Sequence, residues 1–128
     1  MFQRDYLLRV IQQAAEAIAR AIRALRAKDP EEAEQQLGEG YAALGLDREM
    51  LLLLDSQTLQ RQLGEDEKIA IAGRLLLADA QLCDARGERK AALRRLSAAR
   101  RLAALLRAPD DTLDRELALT NRLLARDG

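Results

Sequence analysis

Apolar residues recur near the start of the chain at alternating spacings of four and three. Leu7, Ile11, Ala14, Ile18, Ala21 and Leu25 form that stripe, and this recurrence marks one buried helix face. Leu8, Ala15 and Ile22 widen it to the breadth of a core-facing helix. The pattern predicts a helix over 2–27, roughly 39 Å long at the α-helical rise. The next start is marked by Asp29 as cap, Pro30 at the first helical position and Glu32 placed to reach back in a capping box. That second helix ends near Gly45, so helix one outruns its partner by about half its length.

Two short segments follow, 47–54 and 56–63, each led by a capping residue and bounded by Gly45 and Gly64. They predict a compact, partly helical connector. A third long helix over 66–86 stops at Gly87, and a fourth runs from Glu88 to about Ala108, where Pro109 breaks the chain. Asp110 or Asp111 then caps an amphipathic helix carrying Leu113, Leu117, Leu123 and Leu124. The expected layout is one all-α domain with hairpins over 2–44 and 66–108, a connector over 45–65 and a capping helix over 110–126. Valine occurs once, at Val10, and good helix formers fill the rest.

The second and fourth helices share a frame. Ala33, Leu37 and Gly40 match Ala92, Leu96 and Ala99, a small–large–small stripe at i, i+4 and i+7 that lets a neighbouring helix approach closely. With Ala21, Ala80 and the turn at Gly87, the two hairpins resemble tetratricopeptide (TPR) units. The aromatic positions of that family hold Ala17, Ala24, Leu76 and Cys83, and the two copies lie 59 residues apart, so they are not tandem. The opening Met1-Phe2-Gln3-Arg4-Asp5-Tyr6-Leu7, with Gly45-Leu46-Asp47 and the leucines after it, is similar to a bacterial family of unknown function with TPR-like helices. That resemblance implies a fold and a bacterial source but no activity.

The TPR resemblance also implies a concave groove lined by the first helix of each pair. Its positions here are Ala15, Ile18, Ile22 and Leu25, then Arg74, Leu77, Gln81 and Asp84. The second set is mixed enough to face water or a peptide, and is the candidate partner-binding face. The first is apolar and needs a cover, for which the leucines at 51–54 of the connector are the nearest candidates. Ile18 and Ile22 stand where chaperone-binding members carry their carboxylate clamp, which argues against that ligand.

Composition narrows the function classes. The 128 residues hold 21 basic and 21 acidic side chains, so no net field draws nucleic acid or an anionic membrane. The absence of histidine excludes Ser-His-Asp and Cys-His catalysis and the usual zinc and di-iron sets. No glycine-rich phosphate loop occurs. Glu65, Asp66 and Glu67 suit a helix N-terminus better than a metal, and Cys83 reads as a buried apolar residue rather than a nucleophile. Neither a metal nor a cofactor is implied. A lone cysteine and apolar runs no longer than 50–54 point to a reducing, cytoplasmic setting without a membrane span.

Arg86, Arg89, Lys90, Arg94, Arg100, Arg101 and Arg107 share roughly 140° of the fourth helix, either a solvated face or a strip for an acidic partner. Missing aromatics argue against nucleic acid. Arg95 falls on the apolar arc and should meet a carboxylate. The leading expectation is a non-enzymatic protein-interaction module. The alternatives are a self-assembling structural subunit and, behind it, a nucleic-acid binder using the basic helix. Phe2, Tyr6, Leu7, Val10 and Ile11 keep the overhang of helix one apolar, which marks them as a homo-oligomer interface.

Overall fold

The computed structural model describes residues 2–126, with side chains from 4 to 126. Seven helices follow one another: α1 (Phe2–Arg26), α2 (Pro30–Ala43), α3 (Arg48–Leu53), α4 (Ser56–Leu63), α5 (Asp66–Ala85), α6 (Arg89–Leu105) and α7 (Asp111–Arg126). No strand occurs among the described residues, and the fold is all-α.

Local chemistry sets the helix ends. The carboxylate of Asp29 accepts from the Glu32 amide at 3.2 Å, Asp55 from Thr58 at 2.8 Å and Asp110 from Leu113 at 2.8 Å. Asp110, not Asp111, therefore caps α7. The second half of the capping box at α2 does not form: the Asp29 amide donates to the Ala24 carbonyl at 2.9 Å, and the Glu32 side chain accepts from Gln36 Nε2 at 2.8 Å. α6 stops at Leu105 rather than Ala108. Leu106 turns extended (φ −66°, ψ 139°), and the Asp66 carboxylate then accepts from the amides of Arg107 and Ala108. One side chain at the start of α5 thus holds the chain leaving α6.

α5 is the centre of the molecule. Thirteen of its 20 residues are buried, a helix apolar nearly all round, and it packs against α1, α2, α6 and α7. Ala33, Leu37 and Gly40 of α2, and Ala92, Leu96 and Ala99 of α6, are all buried. A Cβ at Gly40 would lie 2.7 Å from Leu75 Cδ2 and 3.3 Å from Ala17 Cβ, and one at Gly73 would lie 3.1 Å from Leu113 Cδ1. Missing side chains therefore set the approach of α2 to α1 and α5, and of α7 to α5.

One carboxylate crosses these layers. Asp79, on α5, is 1% exposed. Its Oδ2 accepts from Tyr41 Oη of α2 at 3.0 Å, and lies 2.6 Å from Arg48 Nε of α3 and 3.2 Å from Arg95 Nε of α6. Neither Nε–H has hydrogen-bond alignment with a partner, so the arginine contacts are ion pairs. Arg48 also lies 5.2 Å from the Tyr41 ring centroid, and its Nη2 donates to Glu34 at 2.7 Å. Burial alone would lower the pKa of Arg48, but the Glu34 hydrogen bond and the negative charge of Asp79 overcome it and raise it. Burial and the adjacent Asp79 charge push the Tyr41 hydroxyl well up, which keeps it a donor.

The connector leucines do not cover the apolar row of α1. Leu51 is buried where α3 meets α6, whereas Ile18 is buried at 3% exposure on α1, which packs mainly on α2 and α5. The overhang of α1 likewise finds partners within the chain. Arg4 pairs with Glu67 at the start of α5, Val10 is buried, and Leu7 and Ile11 pack on the core. Tyr6 and Leu8 stay open at 64% and 47% exposure; the Phe2 side chain lies outside the described residues.

Two glycines on α2 should respond oppositely to alanine. A Cβ at Gly38 meets open space, so Gly38→Ala should add ~0.5–1 kcal/mol of stability through helix propensity. Gly40→Ala should cost ~1–3 kcal/mol, because fully buried Leu75 has nowhere to retreat. Urea denaturation of both variants checks the pair, and equal effects would contradict this packing.

Candidate functional site

α1, α5 and α7 run in the same direction and form one wall of the molecule. A cavity of about 170 Å³ at their starts is lined by Ile11, Glu67, Arg74 and Thr112, among others. A second, about 370 Å³, lies near their ends between Ile22, Leu25 and Arg26 of α1, Gln81 of α5, and Glu116, Leu119 and Leu123 of α7. Together they outline a groove with α1 and α7 as its sides and α5 as its floor.

The floor is a column of polar residues at heptad spacing, which places Glu67, Arg74 and Gln81 on one face of α5. Each is braced to a side. Glu67 pairs with Arg4 of α1, Arg74 with Glu116 of α7, and Gln81 Nε2 donates to Thr120 Oγ1 at 3.3 Å. The hydrogen bond of Glu67 to its own backbone amide, followed by the Arg4 contact, holds its carboxyl below the usual range. Asp79 lies roughly opposite on α5, about 140° from Arg74 at 100° per residue. The floor and the buried ion cluster thus occupy the two faces of one helix.

The sequence-derived binding face is only partly in this groove. Arg74 and Gln81 are on the floor, half-buried and tied to α7. Leu77 is 1% exposed, buried in the core and closed to a partner, which corrects its expected place on a water-facing row. Asp84 is half-buried and already engaged by a neighbour. Ile22 and Leu25 line the second cavity, whereas Ile18 is in the core. The residues missed are on α7, where Leu119 stands 43% exposed. The available signal was its position off the Leu113, Leu117 and Leu124 stripe of an otherwise amphipathic helix.

Much of the basic strip on α6 has structural work. Arg89 donates to the Leu124 carbonyl at 2.8 Å and Arg101 to that of Leu52 at 3.5 Å, both near helix C-termini where the dipole favours a cation. Arg86 reaches Glu34 at 3.4 Å, and Arg100 reaches Asn121 at 2.5 Å. For Glu34, burial opposes ionisation, yet Arg48 and then Arg86 lower its pKa. Among the described residues no group of three or more His, Cys, Asp or Glu side chains is placed to hold a metal. No helix of the structure is long and apolar enough to cross a membrane.

Comparison with profiles of known protein families, with curated proteins and with solved structures finds no match.

Cys83 is buried beside the ion cluster, and burial raises its thiol pKa. The thiolate is the reactive form, so native protein should react with a disulfide reagent far more slowly than protein unfolded in guanidinium. Prompt, stoichiometric reaction of the native thiol would contradict this placement.

Proposed function

We propose that the protein is a non-enzymatic interaction module whose docking surface is the groove between α1 and α7. The observation that carries this reading is the pairing of an apolar rim with a braced polar floor. Ile22, Leu25, Leu119 and Leu123 stay accessible at the sides, while the floor groups Arg74 and Gln81 already have partners. Such a surface offers apolar burial without requiring a partner to rescue an unpaired charge. The pairing of α1 with the shorter α2 and of α5 with the shorter α6 also fits a TPR-like arrangement. Fold analogy does not name a partner, so the reading rests on the groove.

Self-assembly is favoured by one observation of its own, the exposure of Tyr6 and Leu8 on α1. Tyr6 and Leu8 point to nearly opposite sides of α1 at 100° per residue, so a homodimer through that end would bury one of them.

A photo-crosslinking residue at Leu119 should capture a discrete protein from extract of the source cells. The same residue at Glu39, exposed on α2, should not. Leu119→Asp should leave the melting temperature within a few degrees, as for an exposed site, and abolish a companion capture from position 26. Equal capture from Glu39 would move the docking surface off the groove.

A further inference from the structure

The groove changes character along its length. At the starts of the three helices Glu67 is paired with Arg4, and Asp110 is engaged in capping the Leu113 amide. At their ends the rim is basic. Arg115, Arg122 and Arg126 lie within about 60° of Leu119 around α7, and Arg26 lies about 40° from Ile22 on α1. All four are exposed. None pairs with a carboxylate among the described residues, and the one acid lining this half, Glu116, is spent on Arg74. Arg26 thus lines a cavity whose sides are Ile22, Leu25, Leu119 and Leu123, and Arg115, Arg122 and Arg126 stand just outside it on the solvent side of Leu119, none paired with a described carboxylate.

Resting on the groove being a docking surface, we infer that its occupant is an acidic amphipathic helix of another protein. Leucine-type side chains at i, i+3 or i+4, and i+7 seat between α1 and α7, with glutamates or aspartates on both flanks. The wall residues are spaced by three on α1 and by four on α7, the spacing of helix ridges that interdigitate with a further helix. The flanking charges follow from the rim: acidic side chains meet four guanidinium groups that no described carboxylate pairs, whereas basic ones meet like charge. A nucleic-acid strand would use the same arginines but leave the apolar sides without a base-stacking aromatic, since none lines this cavity.

The test uses the full chain and two fluorescein-labelled synthetic helices of about four turns. Both carry leucines on one face; one has glutamate on its flanks and the other lysine. Fluorescence anisotropy should show the glutamate helix binding about tenfold or more tighter than the lysine helix at low salt. That preference should shrink as added salt screens the exposed pairs. Arg26→Glu with Arg122→Glu should reverse it while leaving the melting temperature close to that of the parent. Equal binding of the two helices, or preference for lysine, overturns the acidic partner and leaves the docking groove standing. Binding of neither helix overturns both readings. An oligouridine 12-mer that binds tighter than the glutamate helix, and loses affinity in the double variant, assigns the rim to nucleic acid and overturns the proposal. So does concentration-dependent self-association abolished by Arg122→Glu, which would give the groove to a second copy of this chain.

Discussion

A carboxylate buried to 1% exposure cannot stay charged without cations beside it. Asp79 imposes that condition on the whole molecule. Its Oδ2 gathers Tyr41 from α2, Arg48 from α3 and Arg95 from α6, so four helices share one electrostatic point. Apolar packing alone leaves helices free to slide, because leucine against alanine is satisfied in several registers. The ion cluster removes that freedom. It also fastens the connector, since α3 is short and reaches the core through Leu51 and Arg48.

With its opposite face fixed, α5 presents Glu67, Arg74 and Gln81 outward at a set depth. Those three brace α1 on one side and α7 on the other. The width of the groove is therefore the sum of two constraints on one helix: a carboxylate that cannot be left unpaired, and Gly73, which lets α7 come close. The site is built from rigid elements rather than loops, as a surface needs to be if it is to present apolar residues in fixed geometry.

Helix content and most helix ends were legible in the chain because they follow from local rules. Asp29, Pro30 and the glycines at 45, 64 and 87 act over a few residues, and the three turn glycines all adopt positive φ. The small–large–small stripes were legible for the same reason. Arg95 was readable as a buried pair because a cation on an apolar arc demands a mate. Asp79 was overlooked, although an acid amid Leu75, Leu76, Leu77 and Leu82 carries the same signal. Arg48 was beyond reach, since nothing local says that a connector arginine will turn inward. The groove was half legible. Heptad spacing on α5 places its floor, but the outer wall depends on how α7 returns. That return is decided by tertiary contacts of Gly73, Arg74 and Arg89 that no single segment encodes.

Coupling between Asp79 and Arg48 tests the account most directly. A double-mutant cycle of Asp79→Ala, Arg48→Met and the pair, followed by urea denaturation, isolates their interaction. Breaking the buried cluster from the acidic side should cost ~3–5 kcal/mol, because Arg95 loses its carboxylate and Arg48 keeps only Glu34. The pair should then cost clearly less than the summed singles, by ~1–3 kcal/mol, since the second change removes a half-buried cation whose buried partner the first had taken away. Additive effects, with Asp79→Ala costing less than ~1 kcal/mol, would show that apolar packing alone sets the arrangement and would contradict the central role of this carboxylate.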